Sequence, residues 1–268
     1  MRSRYLTALV FAVAMSLVFV SCDSFFNTNL FKSAGLGQVS AEKLKGESSA
    51  ELVDDAYTDS GDPSLAFFDA LAGDTTVKGE VLATLAATYT ATTNPAEVQE
   101  AASLAAQIEI VTTGGDELVN NLAKNLQKFQ SLSTVEGAID LVSSLVPAGL
   151  AADESSFAAA IGALLSSNDA FDALGTSMLA NGPLIAGTKT GTAAQSAFVA
   201  AALEAVVVPV ANDPETGAPY TSTAAYLWDI MKGTQTQYPS SFSLNTSAST
   251  PLGSILAGAD LSIPPISL

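Results

Sequence analysis

The chain has 268 residues, with 10 basic side chains against 27 acidic ones, a formal net charge of −17, and no histidine. That balance argues against a nucleic-acid partner, whose phosphates are met by lysine and arginine. The missing imidazole removes Ser-His-Asp triads, Cys-His pairs, HExxH zinc sites and histidine-ligated haem. Carboxylate, lysine, tyrosine or serine chemistry stays open, as does calcium held by oxygen ligands, but nothing in the composition calls for a metal or a cofactor.

The start of the chain reads as an export signal. Met1-Arg2-Ser3-Arg4 is a basic opening, Tyr5 to Val20 is an apolar run too short to span a bilayer, and Ser21 is a small residue in front of Cys22, the single cysteine. The run Phe19-Val20-Ser21-Cys22 resembles the lipobox of bacterial lipoproteins, in the relaxed form found in spirochaetes. That resemblance implies a signal peptide over 1–21 and a diacylglycerol on the sulfur of Cys22, which becomes the new N-terminus. Two or three acyl chains, each methylene contributing about 0.8 kcal/mol, would then anchor the protein firmly to a membrane. Arg2 and Arg4 are the only arginines and leave with the signal, so residues 22–268 keep eight lysines against 27 acids, a charge of −19. With the one thiol acylated, disulfide and thiolate chemistry are gone too.

Residues 22–47 lack sustained periodicity and read as a lipidated tether ending in a short turn of helix. From 48 to 233 the chain is punctuated as a series of helices. Ser48 and Glu51 have capping-box spacing, Asp62-Pro63 opens a helix that Gly73 closes, and Val77, Val81, Leu85 and Tyr89 recur at four-residue steps. Asn94-Pro95 starts the next helix, with Ala101, Leu104, Ile108 and Val111 on one face and Gly114-Gly115 as its stop. Leu118, Leu122, Leu126 and Phe129 form a further stripe. Ser133 with Glu136 is positioned to cap a helix carrying Val135, Ile139, Val142 and Val146, which Pro147 and Gly149 end.

Phe157, Ile161, Leu164 and Leu165 mark a short helix, and Asn168 opens another through Phe171, Leu174 and Met178 that stops at Asn181-Gly182-Pro183. The stretch Ala193 to Val208 is apolar nearly all round and is expected to be the most buried helix; Glu204 and Pro209 interrupt it before it reaches membrane-spanning length. Ser222 caps a last helix through Tyr226, Trp228, Ile230 and Met231 to Gly233. Residues 234–268, rich in Ser, Thr and Pro, read as an irregular tail pinned through Leu252, Ile255, Leu256 and Leu261. Short Gly, Pro or Asn breaks imply antiparallel neighbours. The fold class is therefore all-α, a single domain of stacked antiparallel helical hairpins, as an irregular bundle or a solenoid-like array. Phe68-Asp69-Ala70-Leu71 and Phe171-Asp172-Ala173-Leu174 are identical, but no repeat spacing surrounds them.

Candidate chemistry is thin. Ser40-Ala41-Glu42-Lys43, Ser166-Ser167-Asn168 and Lys189-Thr190-Gly191 follow in order the SxxK, SxN and KTG signatures of penicillin-binding proteins, yet Thr190 precedes a helical run where that family needs a central strand. Asp54, Asp55, Asp59 and Asp62 do not follow calcium-loop spacing and read as a solvated helix end. Glu204 reads as exposed on a helix edge, with Lys189 and Lys232 as conceivable partners. No catalytic residue is assigned. For binding, Tyr220, Tyr226, Trp228, Tyr238 and Phe242 crowd into 23 residues, a composition shared by interfaces and by plain core packing. Tyr220, Tyr226, Trp228 and Tyr238 are the candidate partner or ligand contacts, and Cys22 is the lipid-attachment residue.

The functional expectation is a membrane-anchored extracytoplasmic lipoprotein of the cell envelope, on the cell membrane or outer membrane and facing the periplasm or exterior. It would serve as a non-enzymatic protein-binding scaffold or adaptor, its partner another envelope protein. The alternative is a carrier or receptor subunit holding a hydrophobic or small ligand between its helices.

Overall fold

The computed structural model describes residues 39–58, 63–125, 128, 133–205, 212–238, 243–261 and 266–267. Cys22 and the signal, Asp59, Asp62, Leu126, Phe129, Phe242 and residues 206–208 of the apolar stretch lie outside them. Two short helices lead in, α1 (Ala41–Leu44) and α2 (Ser49–Asp55), followed by α3 (Leu65–Gly73), α4 (Thr75–Ala91) and α5 (Pro95–Val111). Next come α6 (Gly115–Lys124), α7 (Val135–Ser144), α8 (Ala148–Ala152), α9 (Glu154–Ser166), α10 (Asn168–Asn181) and α11 (Gly187–Glu204). The chain ends with α12 (Thr223–Lys232), β1 (Ser243–Leu244), α13 (Pro251–Gly258) and β2 (Ile266–Ser267). The strands make one antiparallel ladder, Ser243 opposite Ser267 and Leu244 opposite Ile266. The domain is all-α.

Local signals account for most helix starts. Ser48 and Glu51 form the reciprocal capping box their spacing predicts, with the Ser48 N–H donating to Glu51 Oε2 at 2.8 Å. Asn94 accepts the Ala96 N–H at 3.2 Å ahead of Pro95. Three caps shift from the expected residues. α10 has Asn168 as its first residue, behind Ser167, whose side chain makes no cap bond. α3 is capped by Ser64, which accepts from Phe67, and not by Asp62; α7 is capped by Thr134, which accepts from Gly137, in place of Ser133. Asp74 both follows α3 and caps α4, accepting from Thr76 and Val77 at 3.1 Å each. Gly233 closes α12 in the left-handed region at φ 73°, a backbone conformation that strains any residue carrying a side chain.

α4 and α5 are the consecutive hairpin the sequence predicts: two 17-residue helices packed along each other across the link 92–94, and therefore antiparallel. Val77, Val81 and Leu85 face inward from α4. α5 departs from its expected single face, since every residue from Ala101 to Ile108 is buried along with Gln99 and Ile110. Small alanines let α2, α4, α9 and α10 approach it from several sides. α11 begins at Gly187, six residues before the expected stretch, and is buried without a break from Thr190 to Ala200.

The segment read as an irregular tail contains a helix. Thr250 accepts the Gly253 N–H at 3.2 Å, Pro251 takes the first helical position, and α13 buries Leu252, Ile255 and Leu256. α13 lies chiefly against α10, and α10 in turn packs on α5. The domain is thus an irregular bundle whose main contacts join elements far apart in the chain. The α10–α13 approach is close because it runs over glycines: a β-carbon on Gly258 would lie 2.6 Å from backbone and side-chain carbons of Met178.

Candidate functional site

Two surface grooves flank the elbow where α9 turns into α10. Ser167 is buried there, and three donors converge on one carbonyl at the end of α9. Ala163 O accepts from the Ser166 hydroxyl at 3.0 Å, the Ser167 hydroxyl at 2.7 Å and the Ser167 N–H at 3.0 Å. α10 restarts at once, with the Phe171 N–H donating to Ser167 O at 3.0 Å. These bonds satisfy polar groups that a helix end otherwise leaves orphaned.

The first groove, about 270 Å³, opens between Leu82, Ala83, Ala86 and Tyr89 of α4, Ala105, Ala106 and Glu109 of α5, and Ser166, Ser167 and Ala170 at the elbow. Alanines leave the trough because they are too short to fill the space between the helix axes. Tyr89 is half-buried, and its phenol is pushed above its ordinary range by burial first, then by the charges of Asp169 and Glu109. Lys78 reaches Glu109 at 3.9 Å and donates to Thr112 Oγ1 at 3.4 Å.

The second groove has a similar volume, about 270 Å³, on the other side of the elbow. Ala197, Ala201, Glu204 and Ala205 of α11 form one wall, Asn168 another, and Ser243, Asn245, Thr250, Pro251 and Leu252 the third. Glu204 is exposed on the helix edge, as its position in the sequence suggests. Its partner is Asn168, whose Nδ2 donates at 3.5 Å. Neither lysine considered for it is there: Lys189 sits 3.7 Å over the ring of Tyr57, and Lys232 lies 4.4 Å over the ring of Trp228 while donating to Ala151 O at 2.8 Å. Each groove thus pairs an alanine floor with one charged lining residue, and both charged residues are glutamates. The chemistry on offer is recognition: apolar area beside a carboxylate.

The four aromatic contacts expected from sequence are engaged within the domain. Tyr226 is fully buried, stacks edge to face with Tyr220 at 5.4 Å and donates to Gln237 O at 2.8 Å. Tyr220, also buried, donates to Asp229 Oδ2 at 2.5 Å, and burial followed by that carboxylate pushes its phenol up to about 12. Trp228 is half-buried against Phe157, with centroids 5.6 Å apart. Tyr238 donates to Asp140 Oδ1 at 2.9 Å, which ties the segment after α12 to α7; burial, then Asp140, raises it to about 12. The cluster is joinery between α12 and α7–α9.

Sequence reasoning passed over the buried polar residues. Gln99, Ser103 and Gln107 recur at four-residue steps along α5, a spacing visible in the sequence. Gln99 is fully buried; it donates to Gly182 O at 2.9 Å and Ser177 Oγ at 3.3 Å, and accepts the Leu184 N–H at 2.7 Å. Gln107 accepts from Tyr57 Oη at 2.9 Å and donates to Ser103 Oγ at 3.4 Å. Burial raises the Tyr57 phenol and lowers the Lys189 ammonium beside it.

The penicillin-binding signatures serve structure here: Ser40 caps α1, Lys43 bonds Asp55, and Lys189 to Gly191 form the first turns of α11. Asp54 is exposed and Asp55 half-buried; among the described residues no cluster of three or more acids or thiols is placed to hold a metal. No helix among them is long and apolar enough to cross a membrane. No protein-family model matches the chain, and no curated protein or solved structure matches it either.

Proposed function

We propose that the protein is exported, acylated on Cys22 and held on the envelope membrane, where its helical domain acts as a non-enzymatic adaptor for another envelope protein. The pair of open grooves beside the α9–α10 elbow carries this reading, because grooves that face solvent suit a partner's protruding side chains better than a ligand sealed between helices. The aromatic cluster supports it indirectly: with Tyr220 and Tyr226 inside, the domain presents small-residue troughs and carboxylates in place of a large aromatic face. The absence of histidine and a thiol committed to lipid leave the chain suited to binding more than to chemistry.

The test uses living cells expressing the full chain with a photoreactive phenylalanine at the exposed Ala87, one helical turn on from the groove residue Ala83, or at the exposed Ala158 of α9 as a control. The expected result is a discrete cross-linked protein from position 87 only, lost when Cys22→Ala abolishes labelling by a palmitate analogue. An unlabelled, cytosolic wild-type chain, or cross-linking that does not distinguish the two positions, would overturn the reading.

A further inference from the structure

Resting on the adaptor reading, we infer that the two grooves receive two cationic side chains, lysine or arginine, from one short segment of the partner protein. A lysine or arginine side chain is an apolar stem with a charged tip, and each groove has the complementary order. In the first groove the stem lies over Ala83, Ala86 and Ala106, and its charge meets Glu109 and the face of Tyr89. In the second the stem lies over Ala197 and Ala201 and the charge meets Glu204.

Both carboxylates are held by one neighbour, Glu109 by Lys78 at 3.9 Å and Glu204 by Asn168 at 3.5 Å. Among the described residues, neither lining includes a lysine or arginine, and Asp169 adds an exposed carboxylate on the elbow that separates the grooves. One segment crossing that elbow serves both grooves, because residues 166–168 belong to the linings on its two sides. The net charge of −17 draws such a segment in from a distance and speeds encounter.

The experiment uses the full-length protein in detergent micelles and a fluorescein-labelled peptide of alternating alanine and lysine, with glutamine-for-lysine and glutamate-for-lysine peptides as comparators, followed by anisotropy. The lysine peptide is expected to bind and the comparators not. Glu109→Gln and Glu204→Gln each weaken binding about threefold, while Glu136→Gln and Glu154→Gln, exposed but outside both linings, leave it unchanged. Ala83→Phe, on an exposed helix position, fills the first groove and lowers affinity about tenfold or more with an unchanged melting curve. Equal binding of the glutamine peptide, or wild-type affinity in all three groove variants, overturns the inference. Binding of spermine with no peptide binding overturns it in favour of a free polyamine. If Ala83→Phe loses an envelope cross-link while no basic peptide binds, the cationic occupant falls and the adaptor stands; if it loses neither, both fall.

Discussion

A β-carbon added to Gly175 would overlap the hydroxyl of Ser254 and lie 2.8 Å from its Cβ, so α10 and α13 touch where one of them has no side chain at all. Ile255 N, at 2.9 Å, closes the same spot from the backbone. Gly175→Ala is therefore expected to destabilise the domain by about 1–3 kcal/mol, the usual range for overpacking. Ser254→Gly in the same chain should recover part of the loss but not all, since Ile255 N stays in place. Urea denaturation of the two single variants and the double variant checks this; additive losses would show that the residues do not share a contact.

Gln99 holds the loop after α10 from inside the core. Gln99→Leu keeps the volume but leaves Gly182 O and the Leu184 N–H without their partner. Gly182 is half-buried and Leu184 exposed, so water meets part of the loss, and a destabilisation of about 1–2 kcal/mol is expected. Hydrogen exchange should show the Leu184 amide losing protection first, ahead of amides in α4.

Asp116, in the first turn of α6, has its carboxyl pushed up to about 6 by burial, against opposing bonds from the backbone N–H groups of Asp116 and Glu117. The unfolded carboxyl titrates near 3.9. Between these values the folded chain binds the extra proton, so this group's contribution becomes more favourable as pH falls from about 6 to 4 and is least favourable above 6. Asp116→Asn should stabilise the protein at pH 7 by about 1–3 kcal/mol, with the gain vanishing near pH 4. Asp153 works in the opposite sense: the Ser156 and Ser155 hydroxyls lead in holding it at about 2, so its contribution is present above the unfolded pKa and is lost as pH falls through 2. Denaturation of wild type and both asparagine variants at pH 7, 5.5, 4 and 2.5 separates the two.

Lys232 covers the ring of Trp228 and donates to Ala151 O. Lys232→Met keeps the stem and removes the charge and the bond. Because the site is exposed, stability should fall by no more than about 1 kcal/mol. Trp228 is the only tryptophan, so its emission reports the change directly, and an unaltered spectrum would show that the ammonium does not rest on the ring in solution.

Much of the bundle is legible because caps and apolar steps are local. Ser48 with Glu51, Asn94 with Pro95 and Ser222 all act where their spacing places them. The twin tetrapeptides follow the same logic: Phe68 and Leu71, like Phe171 and Leu174, are buried three residues apart, with Asp69 and Asp172 outside. α13 was hidden because its Ser, Thr and Pro surroundings read as irregular, although Thr250-Pro251 is a helix start and Leu252, Ile255 and Leu256 are its inner face. The all-round burial of α5 was hidden because alanine carries little periodic signal. The grooves could not be read at all, because they depend on α4 lying beside the α9–α10 elbow and α11 lying beside α13, contacts between segments far apart in the chain.

The three donors gathered on Ala163 O brace the turn between α9 and α10 from within the chain. The two troughs share that braced turn as a common wall. A guest of the inferred kind would meet a preformed host and spend little of its binding energy on ordering it.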